Sequence, residues 1–102
     1  MTIDDYAEWA ATVAKVTADP GSEKFSYLGL GLSAESGEVA DLIKKLLRDG
    51  TLDRAALIEE LGDVIYYWCC LCVASGQKPS ELLAKSREKI TGRLSAAGSR
   101  EA

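Results

Sequence analysis

The chain has 102 residues, 47% hydrophobic and 27% charged, with a formal net charge of −4. That length holds one domain, and the balance is that of a globular chain rather than a disordered one. An acidic chain without a basic block is no general nucleic-acid binder, and no apolar run reaches the ~18 residues of a membrane span. Histidine is absent, which removes Ser-His-Asp, Cys-His and His-metal chemistry together.

The start, "MTIDDYAEW", is acidic and lacks an apolar signal core, so a cytoplasmic protein is expected, with neither nucleic acid nor membrane as partner. A first helix is predicted over roughly Ile3 to Val16, with Tyr6, Trp9, Ala10 and Val13 on one face. "TADPGSEK" breaks the chain. A long second helix begins near Phe25 and ends at Gly50, a residue suited to a helix C-terminus. Its apolar stripe is Leu28, Leu32, Glu35, Val39, Leu42 and Leu46, stepping by four and three, with a carboxylate at its centre. Thr51 or Asp53 can cap a third helix that continues to about Ser75. Its stripe is Leu57, Leu61, Val64, Trp68 and Leu71. "SGQKPS" breaks the chain again, and Pro79 suits the first turn of a fourth helix ending near Leu94. Residues 95–102 are expected to fray. The whole chain thus predicts a single all-α domain, an antiparallel four-helix bundle assembled as an oligomer, a homodimer or homotetramer.

Each long helix carries an acidic pair three residues apart, Glu35 with Glu38 and Glu60 with Asp63, at the edge of its apolar face. Residues at that spacing point the same way. A lone E-x-x-E is usually a solvated helix face. Two such pairs on facing helices place four carboxylates at a half-buried seam, where mutual repulsion and lost hydration disfavour them unless a cation sits among them. With oxygen donors alone, Mg²⁺ or Mn²⁺ is the fitting ion, and Mg²⁺ leaves room for water and substrate phosphates. Asp41 and Glu59 are nearby alternatives; Glu59 lies about 100° around the helix from Glu60 and farther from Asp63.

"LGLSAESGEVADLIKK" followed by "EELGDVIYYW" resembles the all-α, MazG-like nucleoside triphosphate pyrophosphohydrolases. The family is marked by E-x-x-E, a spacer and E-x-x-D, here Glu35-x-x-Glu38, twenty-one residues and Glu60-x-x-Asp63. The resemblance implies hydrolysis of a nucleoside triphosphate to monophosphate and pyrophosphate, with Mg²⁺ on Glu35, Glu38, Glu60 and Asp63. Glu35 is the expected base for the attacking water, with Glu38 second. The chain departs from the family where an Asn often stands three residues before a Lys in the last helix; here Ser86 precedes Lys89. It departs again in the tail, "AAGSREA". Lys89, Arg93 and Tyr67 are candidate phosphate contacts, and Trp9, Tyr27 and Trp68 are candidates to stack on the base.

Two other readings stand beside this one. A helical oligomerisation module without catalysis could retain the acidic face as an ion site. A redox protein could be built on Cys69-x-x-Cys72, but that spacing lies within an apolar helical run, where buried, reduced thiols are expected. "GLGLSAESG" lacks the features of a phosphate loop, so Gly29, Gly31 and Gly37 are expected to permit close helix approach.

Overall fold

The computed structural model describes residues 1–101, with side chains through Gly98, and these residues contain helices and no strand. The elements are α1 (Ile3–Ala14), α2 (Glu23–Asp49), α3 (Arg54–Ala74) and α4 (Pro79–Glu101). The expected all-α class is what forms.

Local chemistry fixes the ends. Thr2 Oγ1 accepts from the Asp5 N–H at 3.0 Å, and Asp5 returns the bond by accepting from the Thr2 N–H at 3.1 Å, a capping box that starts α1. The helix stops at Lys15, before Val16, because Lys15 adopts a left-handed φ of 56° and turns its N–H back to the Ala11 and Thr12 carbonyls. Ser22 caps α2, and Gly50, at φ 79°, closes it by donating to the Leu46 carbonyl at 2.8 Å. Of the two candidate caps for α3, Asp53 serves, accepting from the Ala56 N–H at 3.0 Å. The last helix runs past Leu94 to Glu101. Of the tail expected to fray, the backbone is therefore helical to Glu101, and Ala102 lies outside the described residues.

Helices α2 and α3 form an antiparallel hairpin. Leu28 packs with Cys70 and Ala74, Gly31 lies against Tyr67, and Glu35 meets Glu60 and Asp63, so partners on α3 fall in number as those on α2 rise. The expected α2 stripe is the inward face, with Leu28 buried and Leu32, Glu35, Val39, Leu42 and Leu46 half-buried. α3 packs against both α2 and α1, and a helix covered on two sides needs apolar residues around much of its girth. Its buried positions are consequently Cys69, Cys70, Cys72 and Ala74, whereas Leu61 of the expected stripe is half-exposed.

α1 meets α3 through small side chains. Ala7, Ala10 and Ala11 are buried, while Trp9 and Val13, expected on the inward face, are more than half exposed at 57% and 55%. Alanines let the two backbones approach closely, and the bulky residues are turned outward.

The four helices do not close into a bundle within one chain. α4 touches α1 and α3 but not α2, and it is exposed from Leu83 through Gly98. The radius of gyration is 16.7 Å, against about 13 Å for a compact chain of this length. The physical reason is that α4 has few large apolar residues, set among Lys85, Arg87, Glu88 and Lys89, and so has little to bury.

The arm is held at its root. Pro79 is buried, and Ser80 donates from its N–H and its hydroxyl to the two oxygens of Asp4. These bonds hold the Asp4 carboxyl below the ordinary aspartate range. The latch is therefore in place at neutral pH and is lost as acidification carries Asp4 down through that lowered value. Asp4→Ala is expected to speed amide exchange over the first turn of α4 while leaving α3 protected. Unchanged exchange at Ser80 and Glu81 would show that Pro79 alone holds the arm.

Candidate metal and catalytic site

Because α2 and α3 run antiparallel, one inward position of α2 meets an i, i+3 pair on α3. Glu35, Glu60 and Asp63 each offer a carboxylate oxygen within 4.8 Å of the others. Glu35 and Glu60 are half-buried and Asp63 is exposed. Glu60 Oε2 is shielded from solvent and has no hydrogen-bond partner. Two ionised carboxylates cannot donate to each other. The Glu35 oxygen beside Glu60 therefore favours a proton on Glu60, and with partial burial and the charges of Glu35 and Asp63 it pushes Glu60 above the ordinary glutamate range.

No cationic side chain of the described residues neutralises this group. The ion pairs there are Lys44 and Lys45 with Asp41, at 3.0 and 2.9 Å, and Arg48 with Asp49 at 2.8 Å. An acidic group without internal countercharge, containing a shielded oxygen without a donor, fits a hard divalent cation. The residues present therefore suit Mg²⁺ or Mn²⁺.

The neighbouring carboxylates stand apart from the group. Glu38 is exposed, one turn along α2, and is outside the three that converge. Asp41 is occupied: hydrogen bonds from Lys45 and then Lys44 hold its carboxyl at about 2. Glu59 is exposed and also outside.

Tyr67 lies one turn from Asp63, with its ring on α2. A Cβ at Gly31 would overlap that ring, so the glycine makes the approach possible. The other two glycines expected to serve close approach, Gly29 and Gly37, have no such neighbour within 4 Å. Burial, Tyr27 and then Glu35 raise the Tyr67 hydroxyl above the ordinary tyrosine range.

The remaining candidates are scattered. Lys89 and Arg93 are exposed on α4, which does not touch α2, so a single chain does not bring them to the carboxylates. Trp9 packs obliquely on Tyr6 with ring centroids 5.6 Å apart. Trp68 is half-buried. Tyr27 lines a pocket of about 280 Å³ at the ends of α1 and α2, with Lys15, Lys24, Tyr66 and Tyr67. Neither tryptophan lines it. Lys15, Lys24 and Tyr66 escaped sequence reasoning. The one available signal was Lys24-x-x-Tyr27, a helical i, i+3 pair; the left-handed turn at Lys15 leaves no mark in the residues themselves.

Cys69, Cys70 and Cys72 are free and buried, and burial pushes Cys69 up to about 11. A redox pair needs the reverse shift.

The fold is thus an all-α helical hairpin that brings acidic side chains from both of its arms together. Residues 23–95, which include α2, α3 and most of α4, match the MazG nucleotide pyrophosphohydrolase domain, and the chain belongs to that family. It is similar to the "Gene 37 protein" of Mycobacterium phage L5, 46% identical over 50 residues. That alignment covers 44% of this chain and 44% of the phage protein, less than half of either. No solved structure matches the chain. Among the described residues, no helix is long and apolar enough to cross a membrane.

Proposed function

We propose that the chain is a Mg²⁺-dependent nucleoside triphosphate pyrophosphohydrolase that clears surplus or unwanted nucleotides in the cytoplasm. The products are a (deoxy)nucleoside monophosphate and pyrophosphate. The observation that carries this reading is the convergence of Glu35, Glu60 and Asp63 around an oxygen with no donor, in a chain of the MazG family. Those three residues would hold Mg²⁺, or Mn²⁺ in its place, with Glu38 as a further ligand from the next turn of α2. Bound there, the ion supplies positive charge for the phosphate oxygens and acidifies a water. Glu35 is the residue we assign to accept that water's proton, with Glu38 as the second candidate. Tyr67, with its ring against Gly31, is the residue we assign to orient a phosphate. Lys89 and Arg93, exposed on α4, are assigned as phosphate contacts supplied to a neighbouring copy in an oligomer.

Incubation of the chain with a nucleotide panel and Mg²⁺ tests the activity, and chromatography of the products tests the bond cleaved. Monophosphate and pyrophosphate are expected; a nucleoside diphosphate with orthophosphate overturns the assignment. Absence of turnover with every nucleotide would leave a non-catalytic helical module.

We further infer a homodimer or homotetramer. Ile58, Leu61 and Ile65 form an exposed stripe on α3, and Leu30 and Leu47 on α2 are 72% and 83% exposed. Leu83, Ile90 and Leu94 are exposed along α4. A monomer would leave all of this apolar surface in water. Light scattering at micromolar concentration should give at least twice the 10.9 kDa chain mass; a stable, active monomer would contradict the inference.

A further inference from the structure

We propose that the pocket between the ends of α1 and α2 is the nucleobase subsite of the proposed pyrophosphohydrolase, and that it selects bases with a carbonyl oxygen at purine C6 or pyrimidine C4, guanine and uracil, over adenine and cytosine, which carry an amine there. The inference rests on the functional reading above and adds to it a substrate class.

Position is the first argument. Tyr67 is shared: its ring lies over Gly31, one turn from Glu35, and the same side chain walls the pocket. The lining positions Tyr67 and Leu28 therefore lie one turn from Asp63 and two turns from Glu35 along their helices, roughly 6 Å and 10 Å of helix rise. A nucleotide whose phosphates lie at Glu35, Glu60 and Asp63 would extend its base in this direction. The volume, about 280 Å³, lies just below the range of sites that enclose whole drug-sized ligands and suits one ring system.

The walls are the second. Tyr66 and Tyr67 meet edge to face, with centroids 5.4 Å apart at 85°, and Tyr27 lines the same pocket. Aromatic faces of this kind stack on any base and do not choose among them.

The tyrosine hydroxyls both donate and accept, so choice must come from the groups that only donate, and these are two lysines. Lys24 is half-buried, with its ammonium 5.6 Å above the Tyr27 ring. Lys15 is carried on the left-handed residue that ends α1, at φ 56°, a conformation rare in any residue but glycine. Neither belongs to the ion pairs of the described residues. An ammonium donates hydrogen bonds and accepts none. Guanine offers O6 and N7 as adjacent acceptors and uracil offers O4, whereas adenine and cytosine present an exocyclic amine at the corresponding edge. That amine would face another donor.

The test uses triphosphates with a methylene bridge between the α- and β-phosphorus atoms, which bind without being cleaved. Calorimetric titration of the full chain in Mg²⁺ is run with the guanosine, uridine, adenosine and cytidine analogues. The first two are expected to bind about tenfold more tightly, the order of one good base-edge contact. Lys24→Gln, whose amide both donates and accepts, should narrow that gap while leaving the adenosine and cytidine analogues little changed. Lys15→Gln, at an exposed position, should narrow it independently. Equal affinities in the parent overturn the proposal. So does uniform weakening of all four analogues in the variants, which would mean that the lysines hold phosphate. Parallel hydrolysis assays separate the two levels. Turnover with equal analogue affinities removes the base subsite and leaves the enzyme. Preferential binding without turnover supports the subsite and removes the enzyme.

Discussion

Glu60→Gln is expected to lose at least about 100-fold in activity, yet its metal-free form should melt no lower than the parent. The lower bound follows from metal sites in general, where residues that merely support a ligand are worth about 10–100-fold. The amide keeps the shape of Glu60 but removes one of three converging charges. It also brings an N–H₂ donor to a place where two carboxylates share none. Repulsion built into the metal-free fold is thereby relieved. An ion held by the folded arrangement alone stabilises it by mass action, so Mg²⁺ is expected to raise the parent's melting temperature and to raise the variant's little. Asp63→Asn should behave in the same way, with a smaller gain in the metal-free form because Asp63 is exposed. Thermal unfolding of parent and variants, each with Mg²⁺ and with chelator, decides the matter. A parent indifferent to Mg²⁺, together with a variant that melts early, would mean that these carboxylates hold the scaffold together by other contacts.

Gly31→Ala is expected to destabilise the chain by about 1–3 kcal/mol, the usual cost of forcing atoms into a packed interface. For a domain of this size that is a fall of roughly 4–8 °C in Tm per kcal/mol. On propensity alone the substitution should stabilise a helix by up to about 1 kcal/mol, so the sign of the result separates the two effects. The added Cβ would overlap the Tyr67 ring. Tyr67 must then swing away from α2, taking with it the wall between the carboxylates and the pocket. Activity should fall together with stability. Gly29→Ala is the control: it has open space around it in the same helix, and it should leave stability equal or higher. A tolerated Gly31→Ala would mean that the Tyr67 ring can move at no cost.

The helices were legible in the residues because their caps and breaks are local: Asp53, Gly50 and Pro79 each act within one turn. The α2 stripe was legible because that helix buries one face only. α3 was harder, since a helix covered by two neighbours has no single stripe, and its buried positions fell on cysteines and an alanine rather than on the leucines. The outward turn of Trp9 followed from a packing choice between alanine and tryptophan faces that periodicity does not resolve. The acidic group was visible as two i, i+3 pairs, but the antiparallel register decides which members meet. It brings Glu35 to Glu60 and Asp63 and leaves Glu38 one turn away. The pocket was illegible because it is assembled from the ends of α1 and α2 and from one face of α3, at a turn whose handedness lies in the backbone.

The three thiols of α3 give the chain a built-in clock. All three are buried, at 0%, 0% and 3% exposure, and burial raises the pKa of each. An alkylating reagent therefore reacts with them slowly while the helices stay packed, and readily once α3 is uncovered, where an ordinary thiol has a pKa of about 8.5. The rate of labelling then reports how often the core opens, without any added probe. The cysteines lie toward the C-terminal end of α3, beneath α1, whereas Glu60 and Asp63 lie toward its middle. Labelling thus follows the uncovering of one end of the hairpin, and Mg²⁺ bound at the carboxylates would slow it only to the extent that the two ends open together.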